Sequence, residues 1–185
     1  GHADFAGEVE RVISMADGAI LLVDAAEGPL PQTKFVLQQA IKCKLPIIVL
    51  INKIDRQDSE PEKVLKQVEE LFLALADDSS QLDFPVLYSV GRMGKIWSKL
   101  PKKNQAEFLA KQAGNLQPLF EEIINTIPAP QTDINKPFKM QVSTLDFDSY
   151  KGIYAIGKVT QGLVKNGQRL VILQEQKKVG EMTVA

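Results

Sequence analysis

Four residues with the chemistry of a base-recognition site, Asn52, Lys53, Ile54 and Asp55, come directly after a continuously apolar run. Such a run is typical of a strand buried on both faces, and open parallel sheets bind ligands at the carboxyl ends of their strands. A carboxylate at Asp55 can accept two parallel hydrogen bonds from the ring N–H and the exocyclic amine of guanine, which adenine cannot offer. The Lys53 stem can lie over the base, and Asn52 can tie neighbouring loops together. A plain polar turn is the alternative interpretation, but the position after a strand favours guanine recognition.

Strands and helices alternate around this motif. Continuously apolar runs predict buried strands, and an apolar residue at every third or fourth position predicts an amphipathic helix. The expected strands lie near residues 19–25, 46–53 and 84–90, and the expected helices begin near residues 5, 31, 59 and 118. The helix at residue 59 carries a Ser59-x-x-Glu62 capping box. This alternation predicts an α/β domain with a parallel sheet between layers of helices.

The pattern changes after residue 127, where three prolines stand among Asp, Asn and Thr. We predict one domain over residues 1–128, a linker over residues 129–136 and a second domain over residues 137–185. The second domain contains β-type segments separated by glycines, which predicts a small antiparallel sheet or barrel.

Composition restricts the class of protein. The chain has 185 residues, 44% of them hydrophobic, and a net charge of -1, so no overall basic field drives binding to nucleic acid or membranes. No apolar run approaches the roughly 20 residues that a membrane span needs. The single cysteine, Cys43, fits a reducing compartment, and its apolar helical setting favours a buried structural thiol over a nucleophile.

Three separated stretches resemble translational GTPases of the BipA/TypA branch: residues 1–37, "INKIDR" and "LDFPVLYSVGRMG". Elongation factor G and LepA share the Gly-His start and the Asn-Lys-x-Asp, but "AEGPLPQT" with "QLDFPVLY" is closer to BipA/TypA. The chain after residue 137 is similar to the β-barrel second domain of that family. The resemblance implies part of a P-loop-type G domain, a parallel sheet with flanking helices, followed by the start of an antiparallel β-barrel.

The resemblance also implies roles at the start of the chain. In this family Gly-His ends the motif Asp-x-x-Gly-His, so Gly1 corresponds to the glycine whose amide meets the γ-phosphate. His2 corresponds to the catalytic histidine that positions the attacking water. For His2 in this chain alone, a frayed terminal residue without a role is the alternative.

A family loop of sequence Ser-Ala-x backs the guanine base with a backbone amide. Alignment without gaps places Val90 and Gly91 there, and sliding by one residue places Ser89 and Val90 there instead. Both alignments preserve a backbone contact. They leave the contribution of a hydroxyl group undecided.

The phosphate-binding motif G-x-x-x-x-G-K-[ST] does not occur in these 185 residues. That loop supplies the phosphate contacts and a hydroxyl ligand for Mg²⁺. We therefore expect this chain to be a fragment that is inactive alone, and we assign no metal ligand within it. The ligands of Mg²⁺, like most contacts with GTP or GDP, are expected in an N-terminal part that precedes it.

A basic stretch around Trp97 follows the third expected strand. It could contact ribosomal RNA through phosphates and stacking, although a solvated surface loop is the simpler interpretation. Its basic residues are Arg92, Lys95, Lys99, Lys102 and Lys103.

The residues predict a guanine-nucleotide site, and the resemblance implies a ribosome-associated translational GTPase whose partners are ribosomal RNA and proteins and a guanine nucleotide, with no DNA and no membrane. The competing hypothesis is a nucleotide-free adaptor that binds the ribosome or another protein. A chain that starts within a motif and retains an intact Asn-Lys-x-Asp favours the GTPase. We expect a cytoplasmic location, or an organellar one if a transit peptide precedes this chain.

Overall fold

The structure is a computed structural model that describes residues 6–102, 106–111, 113–130, 132–150 and 152–184. The chain divides into two compact units, Gly1–Ala129 and Pro130–Ala185. None of the described helices is both long enough and apolar enough to cross a membrane.

A four-stranded sheet forms the centre of the first unit, in the order β1 (Ala19–Asp24), β2 (Ile47–Asn52), β3 (Val86–Val90) and β4 (Lys95–Trp97). The first three strands are parallel, and β4 is antiparallel to β3. Strand β2 is buried along its length up to Ile51, as its unbroken apolar sequence requires. The three predicted strands and their parallel order are thus confirmed. Within the described residues, β1 is an edge strand.

Helices cover both faces of this sheet. Apolar residues of α2 (Pro31–Lys42) and α3 (Pro61–Leu75) pack with Leu21, Val49 and Ile51 in the larger core. Leu119 and Ile123 of α5 (Gln117–Thr126) pack against the opposite face. The other two described α-helices are α1 (Ala6–Met15) and α4 (Ala106–Lys111). The three-layer α/β architecture is therefore confirmed.

Three details of the first unit differ from the sequence-based expectations. The capping box at Ser59 is wrong: α3 begins at Pro61 with Glu60 as its N-cap. The Ser59 hydroxyl instead donates to the carbonyls of Ile54 and Arg56, at 3.0 and 2.8 Å. Cys43 is exposed because it lies just after the last turn of α2, so the prediction of a buried thiol is also wrong.

The third difference concerns the basic stretch around Trp97, for which a solvated surface loop was the simpler interpretation. Part of this stretch forms strand β4. Ile96 of this strand is buried against the sheet. The Lys95 ammonium donates to the carbonyl oxygens of Leu109 and Ala110, at 3.1 and 2.8 Å. Lys95 is thus a structural residue that joins β4 to the end of α4, and not a solvated side chain.

The second unit contains the antiparallel strands expected after residue 137. Strand β5 (Lys139–Asp148) pairs with β6 (Gly152–Gln161), and β7 (Arg169–Gln174) pairs with β8 (Lys177–Thr183). The described residues form two separate hairpins. Gly157 permits the close approach in the first hairpin, since a Cβ atom there would lie 2.0 Å from a backbone oxygen of β5.

Candidate nucleotide-binding site

The carboxyl ends of three parallel strands bring the polar residues of the predicted site together. The strand register pairs Asp24 with Asn52, and Asn52 with Ser89, across β1, β2 and β3. Each strand is largely apolar up to this point and reaches a polar residue there. Since the strands are parallel and in register, their polar ends meet at one edge of the sheet, where open sheets of this kind bind ligands.

Asn52 joins this edge to the loop after β3. Its side-chain oxygen accepts hydrogen bonds from the Ser89 hydroxyl at 3.0 Å and from the Gly91 amide at 2.9 Å. A Cβ atom at Gly91 would lie only 3.3 Å from that same oxygen, so a small residue suits the contact. Asn52 therefore ties the end of β2 to the loop after β3.

Lys53 takes a left-handed backbone conformation, with φ of 61°, directly after β2. Its ammonium nitrogen lies 2.7 Å from the Asp24 carboxylate, whose side chain is only 13% exposed. The next residue, Ile54, is fully buried, and its amide donates to the Ser89 carbonyl at 3.3 Å. Ile54 thus anchors the turn in the core, while Lys53 and Asp55 remain at the edge of the sheet.

The charges at this edge form a connected network. Burial raises the pKa of Asp24, but hydrogen bonds from Lys53 and the Ala26 amide outweigh burial and leave the pKa below its ordinary value. The hydrogen bond to Asp24 in turn raises the pKa of Lys53. Arg56 forms a two-pronged contact with Asp58, at 2.9 and 2.7 Å, and lies 3.5 Å from Asp24.

Asp55 lies beside this network with its side chain only 7% exposed. One of its carboxylate oxygens is 2.6 Å from a guanidinium nitrogen of Arg92, and the Arg92 side chain is 67% exposed. Arg92 belongs to a short 3₁₀ turn, Gly91–Met93, that follows β3. The carboxylate expected to recognise guanine is therefore held in place and carries an ion pair.

The structure distinguishes among the residues assigned to the Ser-Ala-x loop. Val90 is fully buried, so its side chain contributes to the core and only its backbone can contact a ligand. The Ser89 side chain is also buried, with its hydroxyl committed to Asn52, and the Gly91 amide is committed in the same way. Gly1 and His2 lie outside the described residues.

Sequence reasoning missed two members of the site. It places Asp24 at the end of a buried strand and does not assign it to the site. A carboxylate that ends an apolar strand at a ligand-binding edge is nevertheless a pattern that indicates a site residue. It groups Arg92 with the basic stretch, and nothing in the sequence position of Arg92 indicates that its side chain turns back to Asp55. Both contacts depend on the tertiary structure.

The described residues do not fit a Mg²⁺ site. No group of three or more His, Cys, Asp or Glu side chains among them could hold a metal ion. Of the acidic side chains at this edge, Asp24 is instead paired with Lys53 and Arg56, and Asp55 with Arg92. None of these carboxylates is therefore assigned as a metal ligand.

Comparison with known proteins gives a consistent set of similarities. The family described as "Elongation factor Tu GTP binding domain" matches residues 1–129. "Large ribosomal subunit assembly factor BipA" from Escherichia coli strain K12 is 43% identical over 178 residues, which covers 96% of this chain and 28% of that protein. The protein of the same name from Synechocystis is 42% identical over 185 residues and is covered to 30%. This chain thus spans less than a third of the length of these relatives.

A solved structure extends the comparison to the fold. Translation elongation factor SelB from Methanococcus maripaludis, in complex with the GTP analogue GppNHp, aligns with a TM-score of 0.66 and 20% sequence identity. The alignment covers 100% of this chain and 39% of the SelB chain. At this identity the likeness concerns the fold alone.

Proposed function

Because this chain belongs to the family of the elongation factor Tu GTP-binding domain, we propose that it supplies the guanine-recognition part of a ribosome-associated GTPase. The observation that carries the proposal is the position of the Asp55 carboxylate. It is largely buried at the carboxyl edge of the sheet, beside the loop that Asn52 ties to β2. A fixed, poorly hydrated acceptor is what base discrimination requires, because a wrong base leaves it unpaired.

The proposed contacts assign one role to each residue. Asp55 accepts hydrogen bonds from the ring N–H and the exocyclic amine of guanine. The alkyl stem of Lys53 lies along the base, with its ammonium fixed by Asp24 at 2.7 Å. Asn52 holds the loop from Ser89 to Gly91, so that its backbone faces the base from the other side.

In this proposal, GTP hydrolysis requires the whole protein and not this chain alone. Residues 1–128 form part of its G domain, residues 129–136 a linker, and residues 137–185 the start of a β-barrel domain. Gly1 contacts the γ-phosphate through its amide, and His2 aligns the attacking water. The phosphate loop and the ligands of Mg²⁺ come from other parts of the protein.

The proposed partner is the ribosome. The BipA relatives from Escherichia coli and Synechocystis are named large ribosomal subunit assembly factors, and they match more than nine-tenths of this chain. We propose that the protein acts in the cytoplasm, where it binds ribosomal RNA and proteins and couples that binding to GTP hydrolysis.

The test measures binding of GDP, ADP and XDP to the full-length protein that contains this chain. Wild-type protein is expected to bind GDP and to reject ADP. Asp55→Asn should lower GDP affinity on the order of 100-fold and favour XDP. Xanthine carries a carbonyl where guanine carries its exocyclic amine, and the Asn side chain can donate a hydrogen bond to that carbonyl.

Asp58→Asn is the matched control, since Asp58 is an exposed carboxylate paired with Arg56 in the same loop. It is expected to leave GDP affinity nearly unchanged. Equal affinity for GDP and ADP, or an unchanged GDP affinity in Asp55→Asn, would contradict the proposal. Ribosome binding that persists in a protein unable to bind GDP would favour the adaptor hypothesis.

A further inference from the structure

The Asp55–Arg92 ion pair occupies the same carboxylate that is proposed to recognise guanine. The contact measures 2.6 Å, and it joins a carboxylate that is nearly buried to a guanidinium that is mostly exposed. The two residues come from different loops, one after β2 and the other after β3. The pair is therefore a tertiary contact across the mouth of the site.

We propose that Arg92 is an intramolecular competitor of the guanine base. Its guanidinium contacts one oxygen of the acceptor edge of Asp55, and an incoming guanine must displace it. This inference rests on the proposed guanine-nucleotide binding. It adds a residue that sets the rate and affinity of binding without itself recognising the base.

The competition follows from the chemistry of the two donors. A guanidinium presents N–H groups in a planar fork that matches a carboxylate, and guanine presents its ring N–H and amine to the same acceptor in the same manner. With only 7% of its side chain exposed, Asp55 has little room for both donors. Arg92 and guanine are therefore alternatives at this carboxylate.

The position of Arg92 allows the exchange without unfolding. Its side chain is 67% exposed, and it lies in a three-residue 3₁₀ turn. The residue after the turn, Gly94, has a left-handed conformation, and a Cβ atom there would meet no atom within 4 Å. The guanidinium can thus leave for solvent without repacking the core.

The pair also places a positive group against the largely buried side chain of Asp55. A largely buried carboxylate without a positive partner is unfavourable, and Arg92 supplies that partner. The contacts of Asn52 and Lys53 fix the loops and do not block the acceptor edge of Asp55. Arg92 is the member of the site that has to move.

The experiment measures association and dissociation rates of a fluorescent N-methylanthraniloyl GDP with the full-length protein by stopped flow. Arg92→Gln keeps a polar side chain but removes the charge, so we expect association to become about two- to fivefold faster and affinity to rise accordingly. Arg92→Lys retains a charge without the planar fork, and its effect should be smaller. Lys99→Gln is the charge-matched control at another exposed position, and its rates should equal those of the wild type.

A second comparison shows whether Arg92 acts through Asp55. In an Asp55→Asn background tested with XDP, residue 55 carries no charge, so adding Arg92→Gln should no longer accelerate association. The same acceleration in both backgrounds would contradict competition at Asp55.

The outcomes also separate this inference from the proposed function. If wild-type protein binds GDP and Arg92→Gln speeds only dissociation, Arg92 supports the bound base, and the competitor inference is overturned while guanine binding stands. If neither wild-type protein with GDP nor Asp55→Asn with XDP binds, the proposed function fails and the inference fails with it.

Discussion

The ammonium group of Lys53 lies 2.7 Å from the carboxylate of Asp24, so the last residue of β1 holds the first residue after β2. This contact fixes a side chain whose backbone is already in the left-handed region. An L-residue in that conformation stores strain, which neighbouring contacts must offset. Asp24 therefore positions Lys53, and through it one wall of the candidate site.

We predict that Asp24→Asn destabilises the chain by about 1 kcal/mol at neutral pH, because Lys53 and Arg56 lose a shared carboxylate. The folded-state pKa of Asp24 lies below its ordinary value of 3.8. The stability that the charged Asp24 side chain contributes is therefore fully present above pH 3.8. It is lost as the pH falls through the lower, folded-state pKa. Urea denaturation of both proteins over this pH range measures the difference.

Glu27→Gln is the control for this prediction, since Glu27 lies 3.6 Å from Arg56 but is half exposed. Its effect on the free energy of unfolding should be much smaller than that of Asp24→Asn. An Asp24→Asn penalty that stays constant as the pH falls below 3.8 would show that the charge of Asp24 is not its source.

The second prediction concerns Asn52. Replacing it with Ala removes the acceptor of the Ser89 hydroxyl and the Gly91 amide, and Ser89 is buried. We expect Asn52→Ala to lower the free energy of unfolding by about 1–3 kcal/mol, the cost of leaving the buried Ser89 hydroxyl without its acceptor. Equilibrium denaturation monitored by circular dichroism measures it.

Ser89→Ala provides the internal control, because it removes one of those donors and leaves Asn52 bonded to Gly91. The double variant should lose less unfolding free energy than the sum of the losses in the two single variants, since both single variants remove the same hydrogen bond. Strict additivity would show that the Asn52–Ser89 contact contributes nothing to stability.

Most of the architecture was predictable because the relevant signals are local. Strand β2 is apolar at every residue from Ile47 to Ile51, and a strand buried on both faces suits that run. Strand β4 was not predictable in this way. It is three residues long, and Ile96 is its only fully buried residue, so no periodic pattern can form.

The contiguous motif of the candidate site was predictable from the sequence, but the tertiary contacts around it were not. Asn52 to Asp55 form a contiguous motif, and their chemistry can be read from residue types alone. The pairing of Lys53 with Asp24, and of Asp55 with Arg92, depends on which strand ends meet and on how a loop folds back. The capping prediction at Ser59 was wrong for a related reason, because Pro61 starts α3 later than the local motif suggests.

The third prediction concerns the activity of the isolated 185-residue chain. No G-x-x-x-x-G-K-[ST] motif occurs in it, and phosphoryl transfer depends on the contacts that this motif makes. We expect no measurable Mg²⁺-dependent GTP hydrolysis and weak or no binding of guanine nucleotides. Phosphate release assays on the purified chain test this, and turnover that His2→Ala abolishes would contradict it.

The last prediction concerns the exposed face of β1. Ile20 and Leu22 are the register partners of Ile48 and Leu50, yet α5 covers only the latter pair. Ile20 is 41% exposed and Leu22 is 59% exposed. Among the described residues β1 also pairs on one side only, and an apolar edge strand of this kind promotes pairing between chains.

We therefore expect the isolated chain to self-associate with rising concentration, and a charged residue on this face to oppose it. Leu22→Lys should shift the sedimentation velocity distribution towards monomer, because association would bury the new charge. Leu73→Lys is the matched control: Leu73 is 66% exposed on α3, which packs on the other face of the sheet. Equal dissociation by both variants would assign the association to general surface charge, and a wild-type chain that stays monomeric would contradict the role of β1.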